Sequence, residues 1–276
     1  MKPDSDRLDA IGRAHLRDPR DASHRMHRYE AAREFTGLLQ WFWIPVWSVP
    51  PGQEAPQKVL QYPNSLIVVA QDYARFYGVV SGLSTTTLSG DGWAVGVACA
   101  PSAGFLLTGA PMAAYTDRAV DVGEVLGDAG RILTDRVRTA MADDPADPTA
   151  HAGAVAAFGD ALRPYLPVDD EGELVNRLVR FVESRSDVTR VAQVCEEFGL
   201  AERALQRLVH RRIGLTPKWL IQRRRLQEAA ERLRTSGTSL AEVATALGYA
   251  DQPHFSRDFS AVTGMTPREF ASLHAR

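Results

Sequence analysis

Hydrophobic and polar positions alternate in short runs between residues 38 and 110, and turn residues separate the runs. A period of two predicts half-buried β-strands. In the run WAVGVAC at 93–99, Trp93 and the larger residues fall on one face, and alanine and glycine fall on the other. Residues 120–142 and 149–162 have helical spacing and are separated by a predicted loop, DDPADP. We expect a small β-barrel or sandwich followed by helices.

The C-terminal part of the chain contains two copies of one pattern, at residues 190–217 and 239–267. Gly199 matches Gly248, and after one inserted residue Arg207 matches Arg257. Each copy has helical apolar spacing on both sides of its glycine, which predicts a helix, a tight turn and a second helix. Between the copies, residues 217–234 predict a longer helix that ends at 235–237. The pattern therefore predicts two helix-turn-helix units joined by a rigid helix.

Composition places the chain among globular proteins long enough for two domains. Its 276 residues are 45% hydrophobic and 24% charged. The apolar runs fall short of the ~20 residues that a membrane span needs, and the N-terminus lacks the apolar region of a secretory signal. Two distant cysteines, Cys99 and Cys195, exclude a disulfide framework and a four-thiolate zinc site. These features favour a protein of the reducing cytoplasm.

Charge is divided between the two halves of the chain. The whole sequence has 32 basic and 34 acidic residues, a formal net charge of -2. From residue 171 onward there are 17 basic and 13 acidic residues, a net of +4, which leaves -6 for residues 1–170. Residues 203–234 are the most basic segment, with 10 Lys or Arg against two Glu. A basic run alone fits a solvated helical face as well as a nucleic-acid surface.

The second copy carries a specific set of motifs: Gly248-Tyr249, then FSRDF at 255–259, then GMTP at 264–267. Together with the first copy, these motifs resemble the DNA-binding domain of the AraC/XylS family of bacterial transcription regulators. The resemblance covers roughly residues 180–276. It implies two helix-turn-helix units that bind successive major-groove segments of double-stranded DNA, with no cofactor. It leaves open contact with RNA polymerase and the formation of a homodimer.

Two groups of residues are expected to contact DNA. By resemblance to the family, the base-reading positions are Arg203, Gln206 and Arg207 in the first unit and Gln252, His254, Ser256 and Arg257 in the second. Each of these could equally contact phosphate or face solvent. The residues expected to attract the phosphate backbone are Arg211, Arg212, Lys218, Arg223 and Arg224. Asp251 is expected to cap the second reading helix, and Pro253 to lie in its first turn.

The N-terminal half resembles, less specifically, the cupin-like sensor domains that many members of this family carry. No histidine occurs between Arg28 and Ala150, so a cupin-type metal site is not expected. The short segment HRMH at 24–27 is expected to be ordinary surface. Aromatic side chains are candidates for an apolar effector pocket, with core packing as the alternative: Trp41, Trp43, Trp47, Tyr62, Tyr77 and Trp93. Cys99 and Cys195 are expected to be structural.

These expectations give an α+β chain of two domains. A tail at 1–20 precedes a β-rich sensor domain at 21–168, and a double helix-turn-helix domain follows at 172–276. Helices at 120–162 are the expected dimer surface, because their apolar stripes have no assigned partner. We predict a transcription regulator rather than an enzyme. A DNA-repair fusion with a nucleophilic cysteine and a hydrolase or isomerase are the alternatives, and their motifs are missing from the sequence. Effector, target genes and direction of regulation are not encoded in recognisable form.

Overall fold

The computed structural model describes Leu16, residues 21–234 and residues 239–274. Of the predicted tail at 1–20, Leu16 is the one residue among these. The predicted helix stop at 235–237 lies outside the described residues. In the described part, no helix is both long enough and apolar enough to cross a membrane.

The N-terminal half contains two antiparallel sheets. Six strands pair in the order β1-β2-β7-β4-β5-β8, and β3 pairs with β6. The strands are β1 His24–Glu30, β2 Leu39–Ser48, β3 Ala55–Val59, β4 Leu66–Ala70, β5 Ala74–Tyr77, β6 Ser84–Leu88, β7 Asp91–Cys99 and β8 Ala119–Asp121. Because β1 and β8 are opposite edges of the larger sheet, the sheet does not close on itself. The predicted barrel is wrong in this respect, and the two sheets instead face each other across a cavity.

One face of the six-stranded sheet forms the N-terminal core. The predicted alternation of β7 is confirmed, since Trp93 and its alternate neighbours Val95 and Val97 are buried in that core. Helices cover the same face, and Phe158 meets Phe42 of β2 edge to face at 5.6 Å. The helices are α1 Ala103–Thr108, α2 Val122–Leu126, α3 Asp128–Ala140 and α4 Pro148–Leu162.

The predicted helix at 120–142 is interrupted. Its first residues form β8, Asp121 caps α2 by accepting from Gly123 N at 2.8 Å, and Gly127 separates α2 from α3 with a φ of 60°. The apolar stripes of α3 and α4 are buried against the sheet through side chains such as Leu133 and Phe158. Ile132 on α3 is exposed, and the dimer surface expected on these helices stays a prediction.

The C-terminal half is helical. Its helices are α5 Asp170–Ser184, α6 Val191–Phe198, α7 Glu202–Ile213, α8 Pro217–Arg234, α9 Leu240–Ala246, α10 Gln252–Thr263 and α11 Pro267–His274. Gly199 lies between α6 and α7 and Gly248 between α9 and α10, with φ values of 62° and 71°. Asp251 caps α10 as expected, accepting from His254 N at 2.7 Å. Helix α8 spans the predicted linking segment and packs in the cores of both helix pairs.

Candidate functional site

Helix α7 has one buried face and one polar face. Leu205, Leu208 and Val209 anchor it in the core. Arg203, Gln206 and Arg207 are exposed on the other side. Gln206 Nε2 donates to Glu202 Oε1 at 3.0 Å, which holds its amide against the helix surface. The three predicted base-reading residues of the first unit therefore share a solvent-facing surface.

Helix α10 repeats this arrangement. Phe255 and Phe259 are fully buried, whereas His254 and Arg257 are exposed. Gln252 and Ser256 are half-buried beside them. His254 packs edge-on against the Tyr249 ring, with the ring centres 5.2 Å apart. Arg257 thus occupies the position on α10 that Arg207 occupies on α7.

Arg212 does not have the free guanidinium that phosphate contact would need. It is buried and stacks 4.3 Å from the Phe105 ring centre. Its Nε donates to Glu171 Oε2 at 2.7 Å, and its Nη1 donates to Asp169 Oδ1 at 3.0 Å. The hydrogen bonds from Arg212 hold the pKa of Asp169 below its usual range. Arg211 is more exposed but also pairs with Glu171. The phosphate role expected for Arg212 is therefore contradicted.

Two further arginines, on α8, are also buried. Arg223 donates through Nη2 to the carbonyl oxygens of Ser81 at 2.6 Å and Gly82 at 2.9 Å. Burial lowers its pKa to about 10. Arg224 donates to Val188 O at 2.9 Å and pairs with Glu228. The phosphate role expected for both does not fit the structure, because their guanidinium groups are buried and donate to groups of the protein. Of the five predicted phosphate residues, Arg211 and Lys218 are exposed.

The buried arginine Arg223 is part of a larger contact between α8 and the N-terminal half. Trp219 Nε1 donates to Ser81 O at 2.9 Å, and Gln227 Nε2 donates to Leu60 O at 2.8 Å. We call these three side chains, with the carbonyl groups of Leu60, Ser81 and Gly82, the clasp. Sequence reasoning missed it because every acceptor is a backbone carbonyl, which any residue type provides.

A cavity of about 610 Å³ lies between the six-stranded and the two-stranded sheets. Five of the predicted pocket residues line it, together with Tyr73: Trp41, Trp43, Trp47, Tyr62 and Tyr77. Trp93 does not line it, because alternation along β7 turns this side chain into the core, where it is 4% exposed. The pocket prediction is corrected at that position.

The opposite face of β7 has almost no side-chain bulk. Ala94 and Ala98 line the cavity, and Gly96 lies between them. A Cβ atom at Gly96 would collide with the Trp43 ring, and one at Gly92 would collide with the Trp47 ring. The two indoles therefore lie directly against glycine backbone. Small residues on β7 therefore leave room for the indole rings and the cavity, and the tryptophans of β2 form one wall of that cavity.

The segment HRMH at 24–27 is not ordinary surface, contrary to expectation. It forms the start of β1, where His24 and Met26 line the cavity and His24 is 7% exposed. His27 points the other way and lies 4.7 Å from the ring of His151. His151 is fully buried, accepts from the Tyr29 hydroxyl at Nδ1 (2.6 Å) and donates from Nε2 to Pro145 O (2.8 Å). Period-two alternation at 24–28 places His24, Met26 and Arg28 on the side of β1 that faces the cavity, and this alternation predicts a strand rather than a surface segment.

The two cysteines lie in packed surroundings. Cys99 is fully buried, and burial raises the pKa of its thiol to about 12. Cys195 is half-buried against the core around α6 and α7. In the described residues, His, Cys, Asp and Glu side chains form no group of three or more that could hold a metal ion.

Two family models match the chain. One, described as "Helix-turn-helix domain", matches residues 194–272. Residues 194–272 are therefore similar to this family of helix-turn-helix domains. The other, described as "Domain of unknown function (DUF6597)", matches residues 27–121, which contain β2 to β8, the end of β1 and most of the residues that line the cavity.

Curated relatives resemble the chain over a limited length. The HTH-type transcriptional activator RhaS of Escherichia fergusonii is 33% identical over 96 residues, 34% of each chain. RhaS of Yersinia pestis is 30% identical over 104 residues, 38% of each chain. The chain thus spans just over a third of the length of these relatives. Both relatives are described as HTH-type transcriptional activators.

Solved structures with similarity include two regulators. A regulator with an AraC-type DNA-binding domain from Chromobacterium violaceum is 25% identical, with a TM-score of 0.34, over 36% of this chain and 89% of that one. ToxT from Vibrio cholerae is 13% identical, with a TM-score of 0.38, over 92% of this chain and 99% of that one.

Proposed function

We propose that the chain is a sequence-specific transcription regulator in which α7 and α10 each enter the major groove of DNA. One observation carries the proposal: two helices follow left-handed glycines and are anchored by Leu205 and Phe255, and each presents an arginine to solvent at the matching position, Arg207 or Arg257. A helix anchored on one face and polar on the other is the element that the major groove admits.

The exposed side chains have suitable chemistry for reading bases. Arginine can donate two hydrogen bonds to guanine O6 and N7, and glutamine can pair with adenine N6 and N7. Gln206 would exchange its hydrogen bond with Glu202 for one with a base. Arg203, Gln252, His254 and Ser256 complete the proposed contact surface. Two helices about one DNA turn apart, ~34 Å, would read successive major-groove segments from one side.

Lys218 is the residue that we assign to phosphate attraction within the predicted set. It is exposed near the start of α8, immediately after the GLTP segment. Arg211 could add to this attraction if its contact with Glu171 were exchanged for phosphate. Control of DNA binding by a small molecule in the N-terminal domain is the second part of the proposal. A homodimer stays a prediction outside this proposal.

The proposal is tested by selecting bound DNA from a random double-stranded pool with the full-length chain. We expect one enriched sequence with two sets of fixed base pairs about one helical turn apart. A second selection with the double variant R207A/R257A should lose the enrichment at both sets. A parent selection that enriches no sequence would refute sequence-specific binding.

A further inference from the structure

The cavity between the sheets has a flat aromatic wall. Trp43 and Trp47 lie against the glycine backbone of β7, and Tyr77 lines the cavity from β5. Small residues on β7 leave the space in front of these rings unfilled by the protein's own side chains. Flat rings stack favourably on indole and phenol faces in offset or edge-on arrangements. A planar aromatic molecule matches this wall better than a branched aliphatic one.

The polar groups of the cavity are mostly uncharged. Gln57, Gln61, Asn64 and Thr86 line it, and the two carboxylates of the lining, Asp72 and Asp91, belong to exposed residues. Arg28 and His24 also line it, on β1. The buried Oε1 of Gln61 accepts no hydrogen bond from any residue that the structure describes. Buried polar atoms normally have a partner, so an N–H or O–H group of a ligand would complete this amide.

Charge and size narrow the class of ligand. A charged molecule would lose its hydration against a mainly aromatic and aliphatic wall. The volume of about 610 Å³ lies within the range typical of sites for drug-sized molecules. We propose that the cavity binds a flat, uncharged aromatic molecule that stacks on Trp43 and Trp47 and donates a hydrogen bond to Gln61. This deepens the proposed function, on which it rests for its regulatory consequence.

The second wall of the cavity connects directly to the DNA-binding half. Strands β3 and β6 contribute Gln57, Val59 and Thr86 to the lining. Leu60 follows β3 directly, and Ser81 and Gly82 lie just before β6. These are the residues whose carbonyl groups hold α8 in the clasp. A ligand that moves the two-stranded sheet therefore moves the attachment of the helix that joins α7 to α10.

The binding test uses N-phenyl-1-naphthylamine, an uncharged planar amine whose fluorescence increases in apolar sites, on the full-length chain. A matched pair of variants tests the location. Thr86→Phe fills the cavity from β6, whereas Thr85→Phe places the same ring on the outer face of that strand. We expect saturable binding by the parent and by Thr85→Phe, and a loss of affinity of about tenfold or more in Thr86→Phe.

The same titration with 8-anilinonaphthalene-1-sulfonate, the sulfonated form of that ring system, tests the charge. We expect affinity weaker by about tenfold. Equal binding by Thr85→Phe and Thr86→Phe would overturn the site, and a sulfonate that binds as tightly as the amine would overturn the uncharged class.

A third measurement separates this inference from the proposed function. DNA affinity is measured for the parent with and without saturating N-phenyl-1-naphthylamine, on the selected sequence. We expect a change of about threefold or more in the parent and none in Thr86→Phe. If the parent selects DNA but its DNA affinity is the same with and without the bound probe, the coupling alone is overturned. A chain that binds the probe but selects no DNA would refute the proposed function and leave the ligand site standing.

Discussion

Arg207 and Arg257 occupy matching positions on two helices, and this equivalence makes a direct prediction. Replacing either by alanine should weaken binding to the selected DNA by about 1–3 kcal/mol, because a bidentate contact with guanine is lost. Fluorescence anisotropy with labelled DNA measures the change. Arg131→Ala, at an exposed arginine on α3, is the control and should bind as the parent does. If both variants bind the selected DNA as tightly as the parent does, α7 and α10 do not lie in the major groove.

Lys218 and Arg223 lie on the same helix, but replacing each by alanine should have different effects. Lys218→Ala should weaken binding to selected and random DNA alike and reduce the salt dependence, because one phosphate contact is lost. Arg223→Ala should instead lower the free energy of unfolding by about 1–3 kcal/mol, since Gly82 O loses its hydrogen bond from Arg223 and Ser81 O keeps only the one from Trp219. Urea denaturation and DNA titration at several salt concentrations distinguish the two. Equal stability of parent and Arg223→Ala would contradict the clasp.

The free energy of unfolding should depend on pH through the His27 side chain. Burial lowers its pKa below the ordinary value of 6.5, and the neighbouring His151 and Arg25 lower it further. The unfolded chain therefore takes up a proton at a higher pH than the folded chain does. As pH falls from 7 toward 5, the free energy of unfolding should decrease. His27→Gln should weaken that dependence in denaturation curves, and an unchanged dependence in this variant would contradict the role of His27.

Among the elements, β7 is the one whose packing depends most directly on glycine, because the indole rings of β2 lie against its backbone. Gly96→Ala should lower the free energy of unfolding by about 1–3 kcal/mol, because the new Cβ would meet the Trp43 ring. Gly82→Ala is the control, since its Cβ would meet open space. Thermal or urea unfolding of both variants measures the difference. A Gly96→Ala variant as stable as the parent would mean that Trp43 can leave the sheet without cost.

Local pattern predicted the elements far better than it predicted their partners. Alternation in β7 placed Trp93 opposite Ala94, and the sequence repeat located α7, α8 and α10. The same reasoning assigned Trp93 to the pocket, because periodicity separates two faces without identifying which face lines a cavity. The burial of Arg212 by Phe105, of Arg223 by the loop at 81–82 and of Arg224 beside Val188 is a tertiary event that local pattern does not predict. The break at Gly127 shows a glycine overriding helical spacing.

On the scale of the whole molecule, the junction near residue 170 determines how the C-terminal half behaves alone. Asp169 caps α5 by accepting from Gly172 N at 3.2 Å and pairs with Arg212. A fragment of residues 166–276 should therefore be more stable than one of 172–276 by about 1–2 kcal/mol, because the shorter one lacks this cap. Urea unfolding of the two fragments tests this. Equal stability would show that the cap contributes nothing without the N-terminal half.

The clasp has a consequence for how such a molecule can diversify. Its acceptors are main-chain carbonyl groups, so substitutions at Leu60, Ser81 or Gly82 preserve the acceptors as long as the loops keep their course. The strands that face the cavity carry different positions, and those can change without touching the three donors on α8. New chemical specificities can therefore arise in the N-terminal half while its connection to the helical C-terminal half is inherited unchanged.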